Sequence, residues 1–403
     1  MRITKILSSL LLVVLVGSIY AQDAYGIPAF ARRYKISCTT CHAPFPRLKA
    51  YGDEFAAAGF VIREEEKERD YITGGDETLW LNRTFQLGMR FDAWMMLDED
   101  QTLPQSVDSD LQIPWGVKIL SGGALTKNIG YYFYFYMAER GEVAGIEDAY
   151  IHFDDIGGLP LDLMVGQFQT SDPLMKRELR LSYEDYQVYK QTVGVSQINL
   201  TYDRGLMAVY GIESTGTDLV GFLVNGNGKG EAAANRKFDG DRYKNYGFRV
   251  NQGIGEFASL GGYFYQGLEN LPLAGGTPLE WRQNEVRYFG PDFSLGAGPL
   301  SFTGQYMIRQ DSNPMGLNNE PAEKIETTGM IGELVYLPAG DDGRHAFVLL
   351  YNDLESKDAG IAYRTVSFGS SYLVARNLRL HFEYTRDLEN ELNRGVFGIV
   401  SGF

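Results

Sequence analysis

In the stretch Asn377-Leu378-Arg379-Leu380-His381-Phe382-Glu383-Tyr384, apolar and polar residues alternate strictly. Leu378, Leu380, Phe382 and Tyr384 share one parity, and Arg379, His381 and Glu383 share the other. Successive side chains of an extended strand point to opposite faces, so a period of two describes a strand with one apolar and one polar face. Phe85, Leu87, Met89, Phe91, Ala93 and Met95 alternate in the same way with Gln86, Gly88, Arg90 and Asp92, and Leu111 to Ile119 repeats the pattern. About 16 such segments follow one another, within the porin range. They begin near residues 78, 110, 128, 146, 161, 196, 217, 243, 256, 283, 298, 326, 344, 359, 377 and 393. The connections alternate in length. Long ones fall near 98–109, 139–145, 169–195, 226–242, 266–282, 309–325, 352–358 and 385–392; short ones include 121–127, 155–160, 252–256 and 375–377. Long loops at one end and short turns at the other are the habit of outer-membrane barrels, whereas a soluble sandwich has no such requirement. No blade-length repeat supports a propeller.

Bulk composition agrees. The chain has 403 residues with 52 Asp and Glu against 37 Lys and Arg, a formal net charge of −15 that repels nucleic acid. Gly (47), Tyr (26) and Phe (23) are abundant, as in chains of many strands and turns. Arg2 and Lys5 followed by the apolar run Leu10 to Val16 read as a signal peptide over residues 1–26, with cleavage after Ala21 or Gly26. No later segment is long and apolar enough to cross a bilayer as a helix, so a membrane-spanning form must be a barrel.

The only two cysteines stand in Cys38-Thr39-Thr40-Cys41-His42. This C-x-x-C-H spacing is the attachment signature of c-type haem: each thiol adds to one vinyl group, and the adjacent imidazole reaches the iron. A zinc site would need further Cys or His nearby, and a redox dithiol would sit in a βαβ context; neither is present. Residues before the motif and from Pro46 to Phe55 read as helical, with Pro46 in a first turn and Leu48, Tyr51 and Phe55 on one face that could cover the haem. The charged run Arg63 to Asp70 reads as a solvated linker. The domains expected are therefore a signal peptide (1–26), a small α-helical monohaem cytochrome c plug (27–75) and an all-β transmembrane antiparallel barrel (76–403), with one covalent haem c.

Ile27-Pro28-Ala29-Phe30-Ala31-Arg32-Arg33-Tyr34, then Cys38 to His42, Pro46, Leu48, Tyr51-Gly52 and Phe55, resembles the fused monohaem cytochrome–porins of the outer membrane, the iron-oxidase family of iron-oxidising bacteria. The resemblance extends to the layout of signal peptide, haem domain and barrel, and to the C-terminal aromatic Phe403. It implies one-electron oxidoreductase chemistry: extracellular Fe(II), or another reductant, would be oxidised and a periplasmic c-type cytochrome would receive the electron. The plug would enter the lumen from the periplasmic side. The alternatives are a haem-bearing porin for small solutes and, with less support, a peroxidase-like enzyme.

Residues 27–75 hold no Met and no His besides His42, so a sixth haem ligand must come from elsewhere or be absent. Parity puts His152, His381, Met164 and Met307 on lumen faces, and these are the candidates; Lys35 and Lys49 are the fallback. Met89 and Met95 are expected to face lipid. Asp98, Glu99, Asp100, Asp108 and Asp110 cluster at the first long loop, where carboxylates suit weak cation capture. Gly226-Asn227-Gly228-Lys229-Gly230 lies in a loop and is no phosphate site, and Asp172 to Tyr189 is either a constriction or a solvated loop.

Overall fold

The computed structural model describes residues 29–62, 65, 86–99, 108–171, 175–231, 236–275, 280–317, 324–356 and 359–403. The expected signal peptide, most of the Arg63 to Asp70 run, Asp100, Asp172 and the strand start near residue 78 lie outside them.

Alternation along the chain yields β1 (Gly88–Asp98), β2 (Ser109–Thr126), β3 (Ile129–Glu139), β4 (Gly145–Phe153), β5 (Leu161–Gln169), β6 (Tyr202–Ile212), β7 (Thr217–Val224) and β8 (Asn245–Ile254). It continues with β9 (Ala258–Pro272), β10 (Trp281–Ala297), β11 (Leu300–Asp311), β12 (Ile325–Tyr336), β13 (His345–Ser356), β14 (Ile361–Ala375), β15 (Leu378–Asp387) and β16 (Asn393–Gly402). Each strand pairs with its sequence neighbours, and β1 pairs antiparallel with β16 from Arg90↔Gly402 to Asp98↔Arg394, closing a 16-stranded barrel with no free edge. The parity of the C-terminal strands holds: Arg379, His381 and Glu383 are buried inside, while Phe382 and Tyr384 are exposed. Ile151, Leu206, Leu223, Phe248, Phe302, Leu349, Phe368 and Ile399 extend this exposed apolar face around the wall, the surface a barrel presents to hydrocarbon. The alternation of connection lengths is looser than expected, because the strands reach further: 337–344 joins β12 to β13 and is longer than 357–360.

The interior departs from a water-filled lumen. Within the connection between β5 and β6, residues 175–201 fold back inside the barrel. Its Val188, Tyr189, Ile198 and Leu200 form an apolar core with inward Phe222, Tyr265, Val286, Tyr288, Met307, Ile331, Leu350 and Leu354. These strands have apolar residues on both faces, because the outward face carries the exposed apolar band of the wall and the inward face covers the loop. The constriction reading of this segment is therefore the one realised, and the sixth strand starts at Tyr202 rather than near 196. Short helix α4 (Gln187–Lys190) lies in this insert.

A second body fills the short-turn end of the barrel. It comprises α1 (Ala29–Tyr34), α2 (Cys38–Cys41) and α3 (Ala50–Ala57). Phe30 packs edge-on to Phe55 at 5.3 Å and stacks on Phe60 at 5.1 Å, and Phe60 stacks in turn on Tyr132 of β3 at 4.6 Å. The expected helix from Pro46 starts only at Ala50. The carbonyls of Pro46 and Arg47 turn toward the His42 ring, and Arg47 also accepts from the Ala43 amide, so neither is free for a helical ladder. With Leu48 outside the helix, the face toward the interior becomes Gly52, Phe55 and Ala56, and Tyr51 is left exposed.

Candidate functional site

Where the plug, the inserted loop and strands β1 to β6 meet, they line a pocket of about 1320 Å³, a volume that includes space open to solvent. Cys38, Cys41 and His42 line it together, with an apolar rim of Phe30, Ile36, Phe45, Leu48, Phe55 and Phe60. The far wall carries Tyr132, Tyr134, Tyr150 and Tyr202 from the barrel, and Lys176, Glu178 and Leu179 from the inserted loop.

The local sequence sets this geometry. Ser37 caps α2 by accepting from the Thr39 amide at 3.3 Å, and one helical turn brings Cys38 and Cys41 to the same side. Both thiols are free of a disulfide. His42 ends the helix in extended conformation, and its Nδ1 faces the Pro46 carbonyl oxygen at 3.0 Å. That bond fixes Nδ1–H as donor and leaves Nε2 for the cavity, the orientation an axial imidazole needs. Burial lowers the His42 pKa, favouring the neutral form that ligates iron. A side chain at Gly52 would collide with the Cys41 carbonyl, so only glycine lets α3 pack this close to the motif. Two unpaired thiols, an oriented imidazole and an apolar chamber shared by all three fit a covalently bound haem.

The sixth-ligand candidates all point inward, but none is among the residues lining this cavity. His152 and Met164 face each other as register partners on β4 and β5. Met307 is enclosed in the apolar core beneath the inserted loop. His381 has both ring nitrogens engaged, Nδ1 with Ser371 Oγ at 2.9 Å and Nε2 with Glu383 Oε2 at 3.3 Å. The polar groups facing the chamber are instead tyrosines, Lys176, Glu178, Asp148, Gln169 and Arg90, which parity alone could not single out. Met89 and Met95 lie on the outward parity of β1, and His345 opens β13 against Tyr372 at 4.8 Å.

A second chamber adjoins the first on the long-loop side, with Arg90 and Glu178 lining both. Six cations surround it, Arg90, Lys118, Arg140, Arg177, Arg180 and Arg379, against four carboxylates, Asp92, Glu139, Glu178 and Asp185. Arg177 grips Asp185 in a two-point fork, Nε to Oδ1 at 3.1 Å and Nη2 to Oδ2 at 2.6 Å. Burial pushes the Asp185 carboxyl up, but Arg180 and Arg177 outweigh it and hold the group well below the usual range. Glu178 accepts from Tyr134 and Tyr136 at 3.1 and 2.9 Å and pairs with Lys118 at 3.3 Å. Around the first long loop, Asp110 accepts from Gln112 at 2.8 Å and Glu99 accepts from Asn393.

No family profile and no curated protein matches the sequence. Solved structures do match in fold. OmpT of Vibrio cholerae in its trimer form superposes with a TM-score of 0.54 at 12% identity, covering 79% of this chain and 99% of that one. The anion-selective porin from Comamonas acidovorans gives 0.55 at 10% identity, covering 79% and 98%. The channel DcaP of Acinetobacter baumannii gives 0.52 at 13% identity, covering 79% and 96%. At these identities the likeness establishes the porin-type barrel and nothing finer.

Proposed function

We propose that this chain is an electron conduit of the Gram-negative outer membrane. It would take electrons from an extracellular reductant, Fe(II) being the one the sequence resemblance implies, and pass them through one c-type haem to a periplasmic c-type cytochrome. The observation that carries this reading is the position of the C-x-x-C-H cavity between the plug and the inserted loop. A haem, when bound, supplies a one-electron relay at neutral pH. Cys38 and Cys41 would tether it, and His42, oriented by Pro46, would hold its iron. Phe30, Leu48 and Phe55 give one side of the chamber an apolar lining. Leu179 and the tyrosines close the other. The outward apolar wall supports membrane insertion, and the plug at the short-turn end is where a periplasmic partner would approach. In purified protein, Fe(II) should reduce the haem and a soluble c-type cytochrome should re-oxidise it; a haem that neither partner affects overturns the reading.

The second reading, a haem-bearing channel for small solutes, draws on the fold shared with channels. Planar-bilayer conductance separates the two. The apolar core under the inserted loop favours low conductance for the conduit, whereas a stable ion conductance of porin size supports the channel.

A further inference from the structure

We propose that His152, Asp154 and Asp162 form a site for one divalent transition-metal cation, of the Zn(II) or Fe(II) type, at the junction of plug and barrel wall and separate from the haem iron. One imidazole nitrogen and one carboxylate oxygen from each aspartate lie within 4.8 Å of one another. The constellation is assembled by the hairpin between β4 and β5. His152 is the penultimate residue of β4, Asp154 follows the strand, and Asp162 is the second residue of β5. Strand pairing places His152 opposite Met164, two residues past Asp162, so the three side chains converge on one face.

The backbone around the site is pinned. The Asp154 amide donates to the Asn128 carbonyl at 2.9 Å, and the Asp155 amide donates to Asp162 Oδ1 at 3.0 Å, with Asp155 at φ +49° turning the chain. The independent sign of a missing ligand is His152 itself. Its side chain is 4% exposed, yet its Nε2 is buried with no hydrogen-bond partner. A buried polar atom normally has a partner, and an imidazole nitrogen beside two carboxylates is a set a metal completes.

The donor types select the ion. Two carboxylates alone would suit Mg(II) or Ca(II), but an imidazole among them shifts preference to borderline first-row ions. Three protein ligands leave a coordination position for water. The location gives the site a consequence. A side chain on Gly59 of the plug would press within 3.4 Å of the His152 ring, and Tyr150, on the same face two residues away, lines the haem cavity. A bound ion would stiffen the wall against which the plug rests and stabilise the docked form by mass action.

The test uses the full haem-loaded chain in detergent, freed of adventitious metal with a chelator and titrated with Zn(II) by calorimetry and with Co(II) by absorption spectroscopy. Wild type should bind one equivalent beyond the haem iron and melt at higher temperature with Zn(II). His152→Gln and Asp162→Asn should each weaken that binding by about tenfold or more and remove the Zn(II)-dependent rise. Met164→Leu should keep both. Covalent haem per chain and gel heat-modifiability, measured on every variant, report folding and haem loading independently of the ion. Absence of the extra equivalent in folded wild type, or its persistence at full affinity in folded His152→Gln, overturns the proposal.

Discussion

The His42 imidazole turns its Nδ1 to the carbonyl oxygen of Pro46, 3.0 Å away, while the ring lines the same cavity as Cys38 and Cys41. That relationship requires Pro46 and Arg47 to leave the helix, and it commits Nε2 to the chamber. Cys38→Ala with Cys41→Ala should abolish covalent haem staining, and His42→Ala should leave thioether-bound haem with a changed oxidised spectrum. Staining that survives the double substitution refutes the attachment assignment.

Gly130 of β3 meets Gly59 of the plug so closely that a side chain on Gly130 would strike the Gly59 carbonyl. Gly130→Val should unseat the plug and leave the barrel intact. Limited proteolysis should then cleave the plug segment faster than in wild type, with heat-modifiable migration on gels retained. An unchanged proteolysis rate contradicts the seat.

Asp185 neutralises Arg177 and Arg180 where the inserted loop is buried. Asp185→Asn leaves two guanidinium groups short of their carboxylate and should cost about 3–5 kcal/mol, read as a lower melting temperature or denaturant midpoint. Leu200→Ala, which empties part of the apolar core beside Tyr189, should cost about 2–5 kcal/mol. A barrel that melts like wild type in both variants would place the loop in solvent instead.

Met164, Met307, His152 and His381 do not line the cavity shared by Cys38, Cys41 and His42. Single alanine substitutions at these positions should leave the near-infrared and magnetic signature of the oxidised haem unchanged. A ligand signature lost in any one of them would require the inserted loop or plug to shift.

The outer chamber holds six cations to four carboxylates, so a bare divalent cation meets net repulsion there. At low ionic strength, Fe(II) carried in an anionic carboxylate chelate should reduce the haem faster than hydrated Fe(II) at matched driving force, and salt should narrow the gap. Arg140→Glu should diminish the preference. Equal rates at all salt concentrations exclude a role for this charge.

Alternation is a relation between neighbours in the chain, so the sequence alone determined the number of strands, the direction of Arg379, His381, Glu383, His152 and Met307, and the closed antiparallel barrel. C-x-x-C-H is equally local, and so the pentapeptide and its one-turn spacing were legible. Parity tells a residue in from out, but not how deep it lies or what it meets. Only the tertiary structure decided that residues 175–201 turn inward, that Met307 sits in an apolar core, that His381 is held by Ser371 and Glu383, and that His152 joins Asp154 and Asp162. Apart from the near neighbours His381–Glu383 and His152–Asp154, these contacts join segments brought together by barrel closure or hairpin register. Their energy comes from burying an apolar loop and pairing its charges against a wall built from distant strands, and no local period in the sequence encodes that.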